Sequence, residues 1–285
     1  MPKLLDQAAI DRYHAEGIYF PIRIFTEEQC AEFVQKFEET QARDRLHIKR
    51  KDNQMHNSHM LVPWISDLIH NPKLLDAVED VLGPNILCWN TQFFAKKAHD
   101  PRFVSWHQDS TYYGLSSSEV VTAWVALTPS RRENGCMRVV PGSHKAQVPH
   151  NDTFDENNFL TRGQEIAVEV NEADIVNVEL EPGQMSLHNV RTFHGSEANT
   201  ADYPRIGFAI RYIPTHVYQT TGLRDSATLV RGVDTYGHFN LEPRPESEFH
   251  ADAIARHTAA VEMQLQILYA GAAQVGKRAA DETAK

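Results

Sequence analysis

The 285-residue sequence predicts a mainly β protein with flanking helices, a jelly roll with helices packed on one side. Three observations carry that expectation. Apolar residues recur at helical spacing only towards the two ends of the chain. Between about residues 84 and 232 the texture changes to short runs of β-type residues. Turn chemistry built on Gly, Pro and Asn separates those runs, as it does in sandwiches and jelly rolls.

The first third, about residues 1–83, reads as helical. Gln7 to Glu16 places Ala9, Ile10 and Tyr13 on one face and stops at Gly17. Thr26 opens a second helix with Gln29 in the capping-box position, and its apolar stripe is Cys30, Phe33, Val34 and Phe37. Asn71-Pro72 starts a third, with Leu74, Leu75, Val78 and Leu82 inward and Gly83-Pro84 as the stop.

Strands are expected at Ile86 to Trp89, Gln92 to Phe94, Phe103 to Trp106, Val120 to Leu127, Met137 to Val140, Ile175 to Leu180 and Ile206 to Ile213. Glu133-Asn134-Gly135, Pro141-Gly142-Ser143 and Glu181-Pro182-Gly183 supply turns between them. The polar stretch from about Lys145 to Asp174 reads as a long insertion, and long loops of this kind often serve as lids. Helical periodicity returns from Ala251 to Ala270, within a C-terminal helical part of about 245–275. Residues 276–285 lack apolar periodicity and read as a frayed tail. There is no internal repeat, so one domain over 1–275 is expected.

At 41% hydrophobic and 23% charged residues the composition is that of an ordinary globular chain. A formal net charge of −10 argues against a nucleic-acid surface, which needs clustered Lys and Arg. The one basic cluster, His47-Ile48-Lys49-Arg50-Lys51, is too short to change that. Cys30, Cys88 and Cys136 are odd in number and have no CxxC spacing, which points to a reducing compartment without a disulfide framework or thiolate zinc site. The first residues lack the apolar core of a signal peptide, and no stretch reaches the ~18 apolar residues of a membrane span. A cytoplasmic protein with no membrane partner is therefore expected.

The chemistry centres on His107-Gln108-Asp109, which follows the β-type run Phe103-Val104-Ser105-Trp106. On a strand, residues i and i+2 project from the same face, so the imidazole and the carboxylate point at a common centre. A metal held there needs a further ligand, and His194 in Phe193-His194-Gly195-Ser196 supplies a candidate. Two His and one carboxylate on one face of a metal is the ligand set of non-haem Fe(II) oxygenases. The pair alone is a weak signal in a chain with 15 His, and its context strengthens it. Arg205 opens the next strand, where a guanidinium can reach over the metal and clamp a carboxylate in bidentate fashion. That is the requirement of 2-oxoglutarate, whose keto acid end chelates iron while its distal carboxylate needs a fixed cation.

Several further motifs stand in order between about Leu82 and Gly232. They are Trp89 to Phe94 with Lys96, Trp106-His107-Gln108-Asp109, Thr122 to Leu127, Glu133 to His144, Ser186-Leu187-His188, and His194-Gly195-Ser196 with the Arg205 strand. Together they resemble the phytanoyl-CoA dioxygenase family of Fe(II)/2-oxoglutarate oxygenases. The resemblance implies a double-stranded β-helix, a cupin-like jelly roll, with iron held by His107, Asp109 and His194. It implies Arg205 as the clamp on 2-oxoglutarate, Ser196 as a second contact, and O2 as the other co-substrate. By family analogy Gln92 and Lys96 lie near 2-oxoglutarate or substrate. Related halogenases replace the ligand carboxylate by a small residue, and the intact Asp109 favours hydroxylation or oxidative demethylation instead.

Trp106 and Trp124 read as core anchors, and His144 as a loop residue. His188 competes with His194 for the ligand role, but the His-Gly-Ser context and the Arg205 spacing favour His194. Tyr112 and Tyr113 either line the substrate pocket or fill its mouth. The expected activity is hydroxylation of a small, polar or zwitterionic metabolite with release of succinate and CO2. Lys49, Arg50, Arg231 and His59 are candidates for holding the substrate's charge, and His56 to Trp64 for covering the barrel mouth. Two alternatives stay open. One is an acyl-CoA hydroxylase of the same family, disfavoured by the acidic balance. The other is a cupin-like metal protein without oxygenase activity, which has no use for Arg205.

Overall fold

Helix formation near the N-terminus follows local rules. In the computed structural model, which describes residues 2–47 and 55–270, α1 spans Gln7–Glu16. The Asp6 carboxylate accepts the Ala9 amide at its start, and Gly17 closes it at φ 72°, a left-handed conformation open to glycine. α2 (Glu27–His47) begins with a reciprocal cap. The Thr26 amide donates to Gln29 Oε1 at 3.0 Å, and the Gln29 amide donates to Thr26 Oγ1 at 3.2 Å. α3 (Pro63–Ile69) and α4 (Pro72–Leu82) each carry proline in the first turn.

The first third is not wholly helical, however. Ile18–Arg23 forms β1, which pairs with β9 (Gln184–Asn189) far along the chain, Ile18 opposite His188 and Ile22 opposite Met185. A partner that distant leaves no trace in local periodicity.

The remaining strands are β2 (Ile86–Lys96), β3 (Val104–His107), β4 (Val121–Ala126), β5 (Met137–Val140), β6 (His150–Asp152), β7 (Gln164–Ile166), β8 (Val176–Val178), β10 (Phe193–Ser196), β11 (Arg205–Pro214), β12 (Ser226–Arg231) and β13 (Asn240–Leu241). They form a seven-stranded sheet in the order β1-β9-β4-β11-β2-β12-β13, a four-stranded sheet in the order β3-β10-β5-β8, and the separate β6-β7 pair. The two runs expected at 86–89 and 92–94 are one strand, because Asn90 and Thr91 continue the ladder opposite Arg211 and Ile210. The expected insertion carries β6 and β7 and is thus not structureless. α5 (Ser110–Tyr113) follows β3, and α6 (Ala251–Leu268) supplies the expected C-terminal helix.

The larger sheet works through its two-residue alternation. One face packs Phe93, Ala123, Val125, Leu187, Ile210 and Tyr212 against Leu61, Ile65, Leu74 and Val78 from the helical layer. The opposite face carries Asn90, Gln92, Thr122, Trp124, Ala209 and Arg211. That face meets His107, Met137 and His194 of the smaller sheet across a cavity of about 680 Å³. Among the described residues no helix is long and apolar enough to cross a membrane.

Candidate active site

β3 and β10 run antiparallel in the smaller sheet, and His107 is the register partner of His194. Their ring centroids lie 4.0 Å apart. Each ring is pinned from behind: His107 Nδ1 donates to the Ser105 carbonyl and His194 Nδ1 to the Thr192 carbonyl, both at 2.9 Å. A carbonyl only accepts, so Nδ1 carries a proton in both rings and Nε2 is left for the cavity. Asp109 follows β3 at the entry to α5, with Oδ1 3.2 Å from His107 Nε2. Its Oδ2 is buried and has no hydrogen-bond partner. Ligand atoms from the three residues lie within 4.8 Å of one another.

Electrostatics suit the same use. Burial alone would raise the Asp109 carboxyl, but its contact with His107 and the nearby His194 and Arg211 hold it well below the usual range. Burial first, then the charge of His107, pushes His194 well below its ordinary value, so its imidazole is neutral near pH 7, as a ligand must be. Two imidazoles, one carboxylate and an orphaned carboxylate oxygen fit a divalent iron with open positions.

Arg205 opens β11 and is 2% exposed. It lines the cavity together with Ser196, and its guanidinium lies 5.3 Å over the Trp124 ring. Gly207 makes room for that ring: a Cβ there would fall 1.9 Å from Trp124 Cζ2. Arg205 Nε is buried without a partner. Burial lowers the guanidinium to about 10, which leaves it charged at neutral pH. Lys96 is the register partner of Arg205 and is fully buried. Its Nζ donates to Ser196 Oγ at 2.8 Å and to the Glu197 carbonyl. Lys96 therefore stands behind Ser196 rather than at the cavity wall, whereas Gln92 is at the wall.

The structure brings His107, Asp109, His194, Ser196, Gln92 and Arg205 to one cavity, together with Tyr112, Tyr113 and His56. His188 lines it too, its ring 5.0 Å from that of His194, and stands outside the converging triad. Trp124 is a cavity wall as well as a core residue, while Trp106 lies elsewhere with Arg138 5.5 Å over its ring. His144 Nε2 meets the His14 carbonyl at 3.2 Å, which is a loop role.

Two expectations about substrate charge are corrected. His59 is buried on the helical side of the sheet, where its Nδ1 lies 2.8 Å from Thr91 Oγ1. Arg231 is taken up by Asp76 at 2.7 Å and Glu79 at 2.8 Å, away from the cavity. Lys49 and Arg50 lie outside the described residues.

Sequence reasoning misses Arg211, which is 6% exposed and lines the cavity. The signal was present, since residues 205, 207, 209 and 211 share one face of a regular strand. It also misses Phe159 and Leu160 of the insertion and Gln264 of α6, which reach the cavity only through tertiary packing.

Residues 2–207 match the model of the phytanoyl-CoA dioxygenase family. The chain belongs to that family. The assignment expected from the motifs is therefore borne out, and with it the class, a dioxygenase family dependent on iron and 2-oxoglutarate (alpha-ketoglutarate). A relative from Stutzerimonas stutzeri, a probable alpha-ketoglutarate-dependent hypophosphite dioxygenase, is 28% identical over 171 residues. That match spans 58% of either chain, little more than half the relative's length. The ectoine dioxygenase of Bordetella parapertussis is 22% identical over 231 residues, covering 71% of this chain and 73% of its own. Among solved structures, the non-heme monooxygenase ThoJ in its apo form is 34% identical with a TM-score of 0.82, covering 92% of this chain and 98% of its own. CytC3 with Fe(II) and alpha-ketoglutarate shares the fold, at 23% identity and a TM-score of 0.67 over 88% of this chain and 97% of its own.

Proposed function

We propose that the protein is an Fe(II)- and 2-oxoglutarate-dependent dioxygenase that hydroxylates a small polar organic metabolite and releases succinate and CO2. The observation that carries this reading is that the pinned His107, Asp109 and His194 set and the buried Arg205 guanidinium open onto one cavity. A cupin-like protein without oxygenase activity has no use for a guanidinium buried there. Relatives named for ectoine and hypophosphite support a small substrate, others named for phytanoyl-CoA support an acyl-CoA, and the acidic balance of the chain favours the former.

When bound, iron together with 2-oxoglutarate and O2 supplies the oxidising power, which no side chain of the chain possesses. His107, Asp109 and His194 would hold the ion. Arg205 fixes the distal carboxylate of 2-oxoglutarate, with Ser196 Oγ as second contact and the Trp124 ring steadying the guanidinium plane. Lys96 orients Ser196. Gln92 faces the same space and completes the polar contacts at this end. Trp89, Phe94 and Phe159 form walls that exclude water. The Asp109 carboxylate would serve as the ligand that a halide would have to replace, which favours hydroxylation over halogenation.

The two facing sheets read as a double-stranded β-helix, a cupin-like jelly roll, within one domain over 1–275. Three free, buried cysteines suit a cytoplasmic setting. The test is succinate formation by purified protein given Fe(II), ascorbate, O2 and 2-oxoglutarate, beside Asp109→Ala. Succinate from wild type and none from the variant is expected. Failure of the metal-loaded wild type both to form succinate and to bind 2-oxoglutarate would overturn the reading.

A further inference from the structure

We propose that Arg211, Thr122 and His188 hold an oxyanion of the prime substrate, a carboxylate or phosphonate group, so that the substrate is a small organic anion. This rests on the dioxygenase reading above. The three residues are register neighbours: Arg211 on β11 faces Thr122 on β4, which faces His188 on β9. They stand side by side across the inner face of the larger sheet, on strands ~4.8 Å apart, and all three line the cavity.

Each is more than nine-tenths buried, and each holds a polar atom without a hydrogen-bond partner: Arg211 Nε, Thr122 Oγ1 and His188 Nδ1. Unsatisfied buried polar atoms are uncommon and costly, and three in one row mark a place built for a ligand. The guanidinium Nε–H only donates, and a hydroxyl and a neutral imidazole nitrogen can each donate beside it. Their common complement is an acceptor that takes several hydrogen bonds, an oxyanion. A cationic group would be repelled by Arg211, and an apolar one would leave all three donors unmet.

Charge balance points the same way. The buried charges lining the cavity are the guanidinia of Arg205 and Arg211 and the carboxylate of Asp109, with Glu262 exposed at the rim. A ferrous ion and a doubly ionised 2-oxoglutarate cancel each other. Asp109, which acts on Arg211, offsets one guanidinium, so the loaded cavity would keep one positive charge in excess, which favours an anionic substrate over a neutral or cationic one. Arg205 and Arg211 stand six residues apart on one extended strand, roughly 20 Å between backbones, so a carboxylate clamped by Arg205 is not the group that Arg211 meets.

Arg211 is also held in place. It donates to Asn90 Oδ1 at 3.2 Å, and Asn90 Nδ2 donates to Gln264 Oε1 of α6 at 2.9 Å. Tyr113 hydrogen-bonds the guanidinium as well, so it is braced by Asn90 and Tyr113, with Nε left unpaired.

The test is calorimetric titration of Ni(II)-loaded protein, saturated with 2-oxoglutarate, with acetate, methylphosphonate and, as neutral control, acetamide. Binding of at least one anion but not of acetamide is expected, and the anion preferred decides between carboxylate and phosphonate. Arg211→Met should raise the Kd of the bound anion about ten- to a hundredfold, and Thr122→Val, which keeps the shape, about fivefold. Thermal melting establishes that each variant is folded, and Thr122→Val carries the test if Arg211→Met is not. Wild type that binds 2-oxoglutarate but neither anion, or acetamide equally well, overturns the anion site and leaves the dioxygenase reading standing. An Arg211→Met variant that weakens 2-oxoglutarate as much as the anion assigns Arg211 to the co-substrate and overturns the proposal. Wild type that cannot bind 2-oxoglutarate removes both.

Discussion

Lys96 and Arg205 are register partners on adjacent strands, two basic side chains buried side by side. Burial first, and the Arg205 charge next, bring the lysine down to about 6, while the guanidinium stays charged. The lysine is thus mostly neutral at pH 7 and free to orient the Ser196 hydroxyl without adding a second charge.

That relationship makes stability depend on pH. An unfolded lysine titrates near 10.5 and the folded one near 6, so between those values the unfolded chain binds the extra proton. Stability of the metal-free protein should therefore rise with pH across this window, by up to about 1.4 kcal/mol per unit from this residue, with the full penalty present below about 6. Urea midpoints at pH 7 and pH 9 for wild type and Lys96→Met check it. A slope as steep in the variant as in wild type would show that Lys96 is charged in the fold.

The pinning of both histidines predicts what their loss does. His107→Ala, His194→Ala and Asp109→Ala should each lower metal affinity by more than about a hundredfold, beyond the usual cost of losing an outer-shell contact. Equilibrium dialysis with Ni(II) reads this without turnover. His188→Ala should leave the metal affinity within a few-fold of wild type, because His188 lies outside the triad. A loss as large as that of His194→Ala would make His188 a ligand.

Arg205→Lys keeps the charge and loses the planar fork. If Arg205 clamps a carboxylate in bidentate fashion, 2-oxoglutarate should bind about tenfold more weakly in Arg205→Lys and about a hundredfold more weakly in Arg205→Met. Equal affinities in wild type and Arg205→Lys would reduce the contact to a point charge.

Gly207→Ala tests the packing beneath the clamp. The added methyl would meet Trp124 Cζ2 at 1.9 Å on a rigid ring between two strands. Overpacking of this kind costs typically about 1–3 kcal/mol, and moving the ring removes the surface on which the Arg205 guanidinium rests. A lower melting temperature together with weaker 2-oxoglutarate binding is expected. A stability loss with unchanged 2-oxoglutarate affinity would separate Trp124 from the clamp.

Much of the molecule was written locally. The caps at Thr26 and Asn71, the stop at Gly17 and most β-rich runs are short-range features, and short-range chemistry is legible in one sequence. His107 and Asp109 could be paired on paper because alternation along a strand depends on nothing but the backbone. The same rule applied to the Arg205 strand would have found Arg211.

Tertiary structure alone decided the rest. β1 exists because β9 lies beside it, a pairing no local window contains. The distance between His107 and His194 follows from the register of β3 against β10, whose residues are far apart in the chain. His59 and Arg231 have the composition of substrate contacts, but packing turned one into the helical layer and gave the other to Asp76 and Glu79. Side-chain chemistry is a property of the residue and survives in the sequence. Burial, partners and leftover charge are properties of the neighbours, and only the fold supplies those.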